Sequence, residues 1–214
     1  EKQLLDMALS INKMISSDDP ISQRKRKAIE LFEKGDNKGV LDVLNTEEIQ
    51  SDYQQAKTEL LSARQIQSQP DLLAKAEQKV CSLVDELTLK AKTWMTSYSE
   101  KDRFEQACQC YELAIQMYRE CELQEALATK LSEFAMFLQV NNQFHRIEVL
   151  AQEALELYSQ LIKQQAKKEY RMACAGLRNI LYLLYLNTQR YDEAENCLIQ
   201  NLETYGKDSD LCDE

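Results

Sequence analysis

Glycine and proline are scarce in this chain of 214 residues, with 4 and 2 copies. Strand-type alternation is also hard to find, so an all-β sandwich or barrel is excluded and short connections between helices are expected. No apolar run approaches the ~18 residues of a membrane span. No signal-peptide pattern is present either. Histidine occurs once, as His145. Nucleophilic catalysis needs a base beside its nucleophile, and one histidine among scattered cysteines offers no such pattern. Four glycines could barely build a phosphate-cradling loop, and none is spelled out. Cysteine is present seven times (Cys81, Cys108, Cys110, Cys121, Cys174, Cys197 and Cys212), an odd number without metal-ligand spacing. Cys108 and Cys110, two apart on a helix, point about 200° from each other and cannot easily share a metal. These read as reduced thiols of a cytoplasmic protein, used as small apolar fillers. No metal, cofactor or catalytic residue is expected, and the chain reads as a non-enzyme.

Basic charge is in deficit as well. The chain holds 26 Lys and Arg against 36 Asp and Glu, a net charge of −10. The acidic excess is larger after residue 100. Such a balance, without a basic stripe, argues against nucleic acid and anionic membrane as partners. Arg24-Lys25-Arg26-Lys27 is the one basic run; a localisation or phosphate patch is one reading, and the solvated start of a helix is the favoured one. The adjacent carboxylates Glu47-Glu48 and Asp85-Glu86 likewise read as solvated.

What the chain does have is 44% hydrophobic residues, enough for a sizeable core, arranged at helical spacing. Residues 2–16 form a candidate helix, and Ser16 to Pro20 close it. A second runs to about Lys34 and breaks at Gly35-Asp36-Asn37. A short one follows over Val40 to Leu44. A long polar helix begins at Thr46 and buries Ile49, Tyr53, Ala56, Leu60, Ala63 and Ile66. Gln69-Pro70-Asp71 is the clearest break, and the next helix reaches about Tyr98.

Three stretches after that share one spelling: "RFEQACQCYELAIQMY", "QFHRIEVLAQEALELY" and "RYDEAENCLIQNLETY". Each opens on an aromatic (Phe104, Phe144, Tyr191), at spacings of 40 and 47 residues. Three residues on stand Ala107, Ile147 and Ala194; seven on, Tyr111, Ala151 and Leu198. Ten and eleven on come Ala114-Ile115, Ala154-Leu155 and Asn201-Leu202, and fourteen on a tyrosine (Tyr118, Tyr158, Tyr205). These offsets are one face of an α-helix. The preceding helix repeats too. Trp94, Phe134 and Leu181 stand ten before each aromatic; Tyr98, Leu138 and Tyr185 stand six before.

On these residues the chain resembles the tetratricopeptide repeat family, in the longer spacing of kinesin-light-chain-type repeats. Phe104, Ala107, Tyr111 and Ala114 match that family's second helix at all four positions. Phe144, Ile147, Ala151 and Ala154 match in part, and Tyr191, Ala194, Leu198 and Asn201 less well. "ELFEKGDNKGVLDVLN" looks like a shortened unit with Gly35 in its turn. More loosely, the arrangement resembles bacterial repeat modules beside signalling domains in Bacteroides-type proteins. The chain begins at Glu1 rather than Met, so it reads as a processed chain or a piece of a longer one. Departures are visible. The family prefers Gly two residues before the aromatic, where this chain has Asp102, Asn142 and Gln189. It prefers a small residue nine before, where Tyr182 is bulky. The third pair is therefore expected to splay or slip by one residue.

The resemblance implies an all-α, right-handed superhelical solenoid of antiparallel helix pairs. Residues 1–69 would form an N-terminal helical region with a weak, shortened repeat. Residues 70–214 would form the helix pairs, clearest over 87–121, 122–163 and 166–205. It also implies a concave groove that binds a protein or peptide, lined by the first helices. By family position the groove residues are Lys92, Thr96 and Ser99; Ser132, Met136 and Gln139; Asn179, Leu183 and Leu186. Met136, Leu183 and Leu186 suggest a groove suited to an apolar-faced helix or to a further segment of the chain itself. A regulatory sensor module of a larger signalling protein and a self-associating module are the alternatives. For the last, no obvious polar capping helix follows Tyr205, so the final apolar face is expected to be exposed.

Overall fold

The protein is described by a computed structural model covering residues 23–66, 69–98 and 100–209, with the backbone alone for 205–209. The expected helix over 2–16, its Ser16 to Pro20 break, Ser99, Cys212, the side chain of Tyr205 and the tail after Ser209 lie outside the described residues. Among the described residues the chain is all-α. Its helices are α1 (Gln23–Glu33), α2 (Asn37–Val43), α3 (Thr46–Gln65), α4 (Pro70–Thr96), α5 (Arg103–Glu120), α6 (Gln124–Val140), α7 (Ile147–Gln164), α8 (Lys168–Asn187) and α9 (Tyr191–Ser209). A 3₁₀ turn, Phe144–Arg146, leads into α7. Two compact units divide between Leu123 and Gln124.

The corners of the helix pairs share one backbone device. After α1, α5, α6 and α8 a single residue takes a left-handed conformation: Gly35 (φ 74°), Glu122 (52°), Asn142 (58°) and Gln189 (60°). In each corner the following amide donates back five residues: Asp36 to Leu31, Leu123 to Tyr118, Gln143 to Leu138 and Arg190 to Tyr185. The left-handed residue itself donates three residues back, which completes a Schellman motif. Only Gly35 is free of the Cβ penalty. Asn142 and Gln189 sit where the repeat spacing places a glycine-like corner.

Between α4 and α5 the corner differs. Asp102 has φ −93° and is not left-handed. The hydroxyls of Thr93, Thr96 and Ser97 donate to the carbonyls of Leu89, Thr93 and Thr93 respectively, closing α4 at Thr96. Tyr98 therefore falls in the loop. It is 81% exposed, with Arg103 stacked 4.8 Å from its ring centroid. The expected equivalence of Tyr98 with the buried Leu138 and Tyr185 fails for this reason.

In the first unit, Asn45 caps α3 by accepting from the amides of Glu47 and Glu48. Ile49, Tyr53, Ala56, Leu60 and Ala63 are buried as the spacing requires, but Ile66 beyond the helix end is exposed. Tyr53 donates its hydroxyl to the Met117 carbonyl and to Glu120, fastening α3 to α5. Burial pushes its phenol well above the ordinary range. The basic run is not solvated at its start. Lys25 is fully buried and pairs with Asp85 at 2.8 Å, and Arg24 pairs with the fully buried Glu86 at 2.7 Å. The reading of Asp85 and Glu86 as solvated carboxylates is corrected with it. Lys90, also buried, donates to the Leu44 carbonyl and the Thr46 hydroxyl, tying the end of α2 to the start of α3.

In the second unit α6 pairs with α7, α8 pairs with α9, and α8 packs on α7. Ile147, Ala151, Ala154 and Tyr158 are buried along α7. Leu181 and Tyr185 are buried like Phe134 and Leu138, so the third pair keeps its register despite a half-buried Tyr182. Arg190 stacks 4.4 Å from the Tyr185 ring centroid and pairs with Glu148 at 2.8 Å. Tyr185 donates to the same carboxylate at 3.0 Å. The Arg190 guanidinium, helped by that hydroxyl, holds Glu148 below the usual carboxylate range against the opposing pull of burial.

Three consequences can be measured. Glu122→Gly and Gln189→Gly should each stabilise by about 0.5–1 kcal/mol, and Asn142→Gly by less, read as a raised urea midpoint at constant slope. Ala107 and Ala154 are essentially buried. Leucine at either should destabilise by roughly 1–3 kcal/mol through overpacking. Glu148 has a depressed folded pKa, so its contribution is complete above the unfolded value of about 4.3 and is lost as pH falls through the lower folded value. Glu148→Gln should therefore be less stable than the parent at neutral pH, and the gap should narrow as pH falls below the unfolded value of about 4.3.

Candidate protein-binding face

A helix that opens a pair has one side against its partner and another against the next pair, which leaves a third side outward. In the second unit α6 and α8 are such helices, and they pack on each other. Their outward stripes follow from the spacing. On α6 the exposed positions include Glu133, Met136 and Val140; on α8 they are Met172, Gly176, Asn179, Leu183 and Leu186. Met136 and Leu183 occupy equivalent places, each eight residues before its repeat aromatic.

The apolar members of this face are open. Met136 is 55% exposed, Val140 56%, Leu183 43% and Leu186 38%. The polar members are largely engaged within the protein. Ser132 is half-buried and donates its hydroxyl to the Ala128 carbonyl at 2.8 Å. Asn179 is exposed, and its side-chain oxygen accepts from Asn201 at 2.8 Å. Gln139 is half-buried. Glu133 pairs with the buried Lys130 at 2.6 Å. A face built this way offers hydrocarbon contact and few free polar groups, which suits an apolar side of a peptide helix better than an extended charged segment.

Lys92 and Thr96 belong to the first unit, near the end of α4. Both are half-buried, and the Thr96 hydroxyl donates to the Thr93 carbonyl at 2.9 Å. Val140 and Met172 extend the second unit's face and were missed by reading the sequence. Both lie at helical spacing from residues that were chosen: Val140 four after Met136, Met172 seven before Asn179.

The groups that could carry chemistry are arranged otherwise. His145 is exposed, one residue after Phe144. Cys108, Cys110, Cys121, Cys174 and Cys197 are buried and Cys81 is half-buried. Burial pushes the Cys110 thiol up to about 11, although Lys90 acts against it. Burial likewise raises Cys174 and Cys197 above the ordinary thiol range, with Arg178 acting against it. Protonated thiols are poor nucleophiles. Among the described residues no cluster of three or more His, Cys, Asp or Glu could hold a metal ion. No helix among them is long and apolar enough to cross a membrane.

Two further surfaces stand out. Near the turn of the α3–α4 hairpin lies a cleft of about 520 Å³ lined by Ala63, Ile66, Leu72 and Ala76 among others. On α9, Tyr191, Leu198, Ile199 and Leu202 are 63%, 42%, 46% and 72% exposed, as expected for the last apolar face.

No protein-family model matches the chain, and no curated protein matches it. Among solved structures the chain is similar to the crystal structure of BtubC (BKLC) from P. vanneervenii, at 21% sequence identity. The similarity covers 74% of this chain and 74% of that one, with a TM-score of 0.42.

Proposed function

We propose that the chain is a tetratricopeptide-repeat-like, non-enzymatic scaffold that binds a protein or peptide on the outward face of α6 and α8. The observation that carries this reading is the row of exposed apolar side chains, Met136 with Val140 on α6 and Leu183 with Leu186 on α8, in which Met136 and Leu183 hold equivalent repeat positions. Exposed apolar residues scattered singly need no explanation, but a row on adjoining parallel helices is a docking surface. The favoured ligand is an amphipathic helix that lays its apolar side along the row. Ser132, Gln139 and Asn179 border the row and would orient the ligand rather than supply most of its affinity. Lys92 and Thr96 belong to the same family positions in the preceding pair. Their part in binding rests on that family position.

The test is affinity capture from cell lysate with two baits, the parent chain and Met136→Glu/Leu183→Glu, the latter checked by circular dichroism for unchanged helix content. A protein retained by the parent and lost from the variant is the expected result. Retention by both would remove binding from this face.

A further inference from the structure

Among the described residues, helix α7 has two covered faces, whereas α9 has one. On α7, Ile147, Leu150 and Ala154 form the first covered face. Glu148, Ala151, Leu155 and Tyr158, spaced 3, 4 and 3 apart, form the second. That second face meets α8. The rings of Tyr158 and Tyr170 lie 5.9 Å apart, and Glu148 takes Tyr185 and Arg190.

Advance both sets by the 47-residue repeat and they fall on α9. The first becomes Ala194, Cys197 and Asn201, all buried, with Asn201 donating to the Ala175 carbonyl of α8. The second becomes Glu195, Leu198 and Leu202. Here the leucines are 42% and 72% exposed, with Ile199 beside them. Glu195 is exposed and has no hydrogen bond or ion pair among the described residues, whereas its counterpart Glu148 holds a phenol and a guanidinium.

We propose that the outer face of α9 docks an amphipathic helix of a partner protein, with an apolar stripe for Leu198 and Leu202 and a basic residue for Glu195. The partner would sit on α9 as α8 sits on α7, its basic residue just past its C-terminal end, where Arg190 follows α8. Charge selects this occupant. Every charged side chain described on α9 is acidic, and Asp192 and Glu203 flank the stripe. Two copies of α9 packed antiparallel about Leu198 and Leu202 would instead bring two acidic helix surfaces together, a like-charge juxtaposition that disfavours self-association. The site is separate from the α6–α8 face.

The probe is a hydrocarbon-stapled, fluorescein-labelled peptide of residues 168–190, which carries the tyrosines, leucines and arginine that meet the equivalent face of α7. Binding to the full chain is followed by fluorescence anisotropy at low salt. Saturable binding is expected, weakened at least about tenfold by Leu198→Glu/Leu202→Glu. Glu195→Lys should weaken it several-fold, and a peptide with Arg190→Glu should recover the loss. Met136→Glu should leave it unchanged, which separates this site from the α6–α8 face. Three outcomes would overturn the proposal. One is the absence of saturable binding to the parent. Another is binding that survives the leucine substitutions in a variant with unchanged circular dichroism. The third is a parent dimer in sedimentation that the same substitutions dissociate, which would make a second copy the occupant.

Discussion

A helix with two apolar faces cannot satisfy both from within its own pair. In the second unit this constraint sets the rest of the arrangement. The inner face of α7 turns toward α6 and its other face requires α8, so stacking is a condition of burial rather than an addition to it. Ala151 and Ala154 show the cost of that closeness. With a neighbour on each side, α7 has room for little more than a methyl group at either position. The large residues, Tyr158 and Tyr170, are pushed to the ends of the contact, where a ring can tilt against a ring.

The repeat phase was legible because burial on α5 and α7 depends on spacing alone, and spacing is written directly in the residues. Gly35 announced its corner by composition. Asn142 and Gln189 did so only by position, since neither residue type demands a left-handed backbone; the hydrogen bonds of the corner impose it. Glu122 had no such marker. Tyr98 was misplaced because threonine and serine hydroxyls ended α4 early, a competition between side chain and helix that periodicity does not register.

The candidate site was legible in part. Offsets from the repeat aromatic found Met136, Leu183 and Leu186, but did not reveal that the Ser132 and Thr96 hydroxyls are turned back onto their own helices. Charge was the least legible property. Arg24, Lys25, Asp85 and Glu86 look solvated when each run is read by itself, because their partners lie about 60 residues away. Only the packing of α1 on α4 brings them together. The second unit thus has two open apolar surfaces of different character, a neutral row on α6 and α8 and an acid-flanked stripe on α9.

The buried ion pairs between α1 and α4 bear on how the first unit comes apart. A short helix ordinarily opens before the rest of a fold. Here, lifting α1 would remove Arg24 from a carboxylate that has no exposure of its own, and Lys25 from Asp85. Separating a buried pair leaves a charge without its counter-charge, which is far more costly than losing an exposed pair. The loosening of α1 is thereby coupled to the loosening of α4. Amides in α1 should exchange with solvent together with those of the long helix beneath it, as one cooperative block.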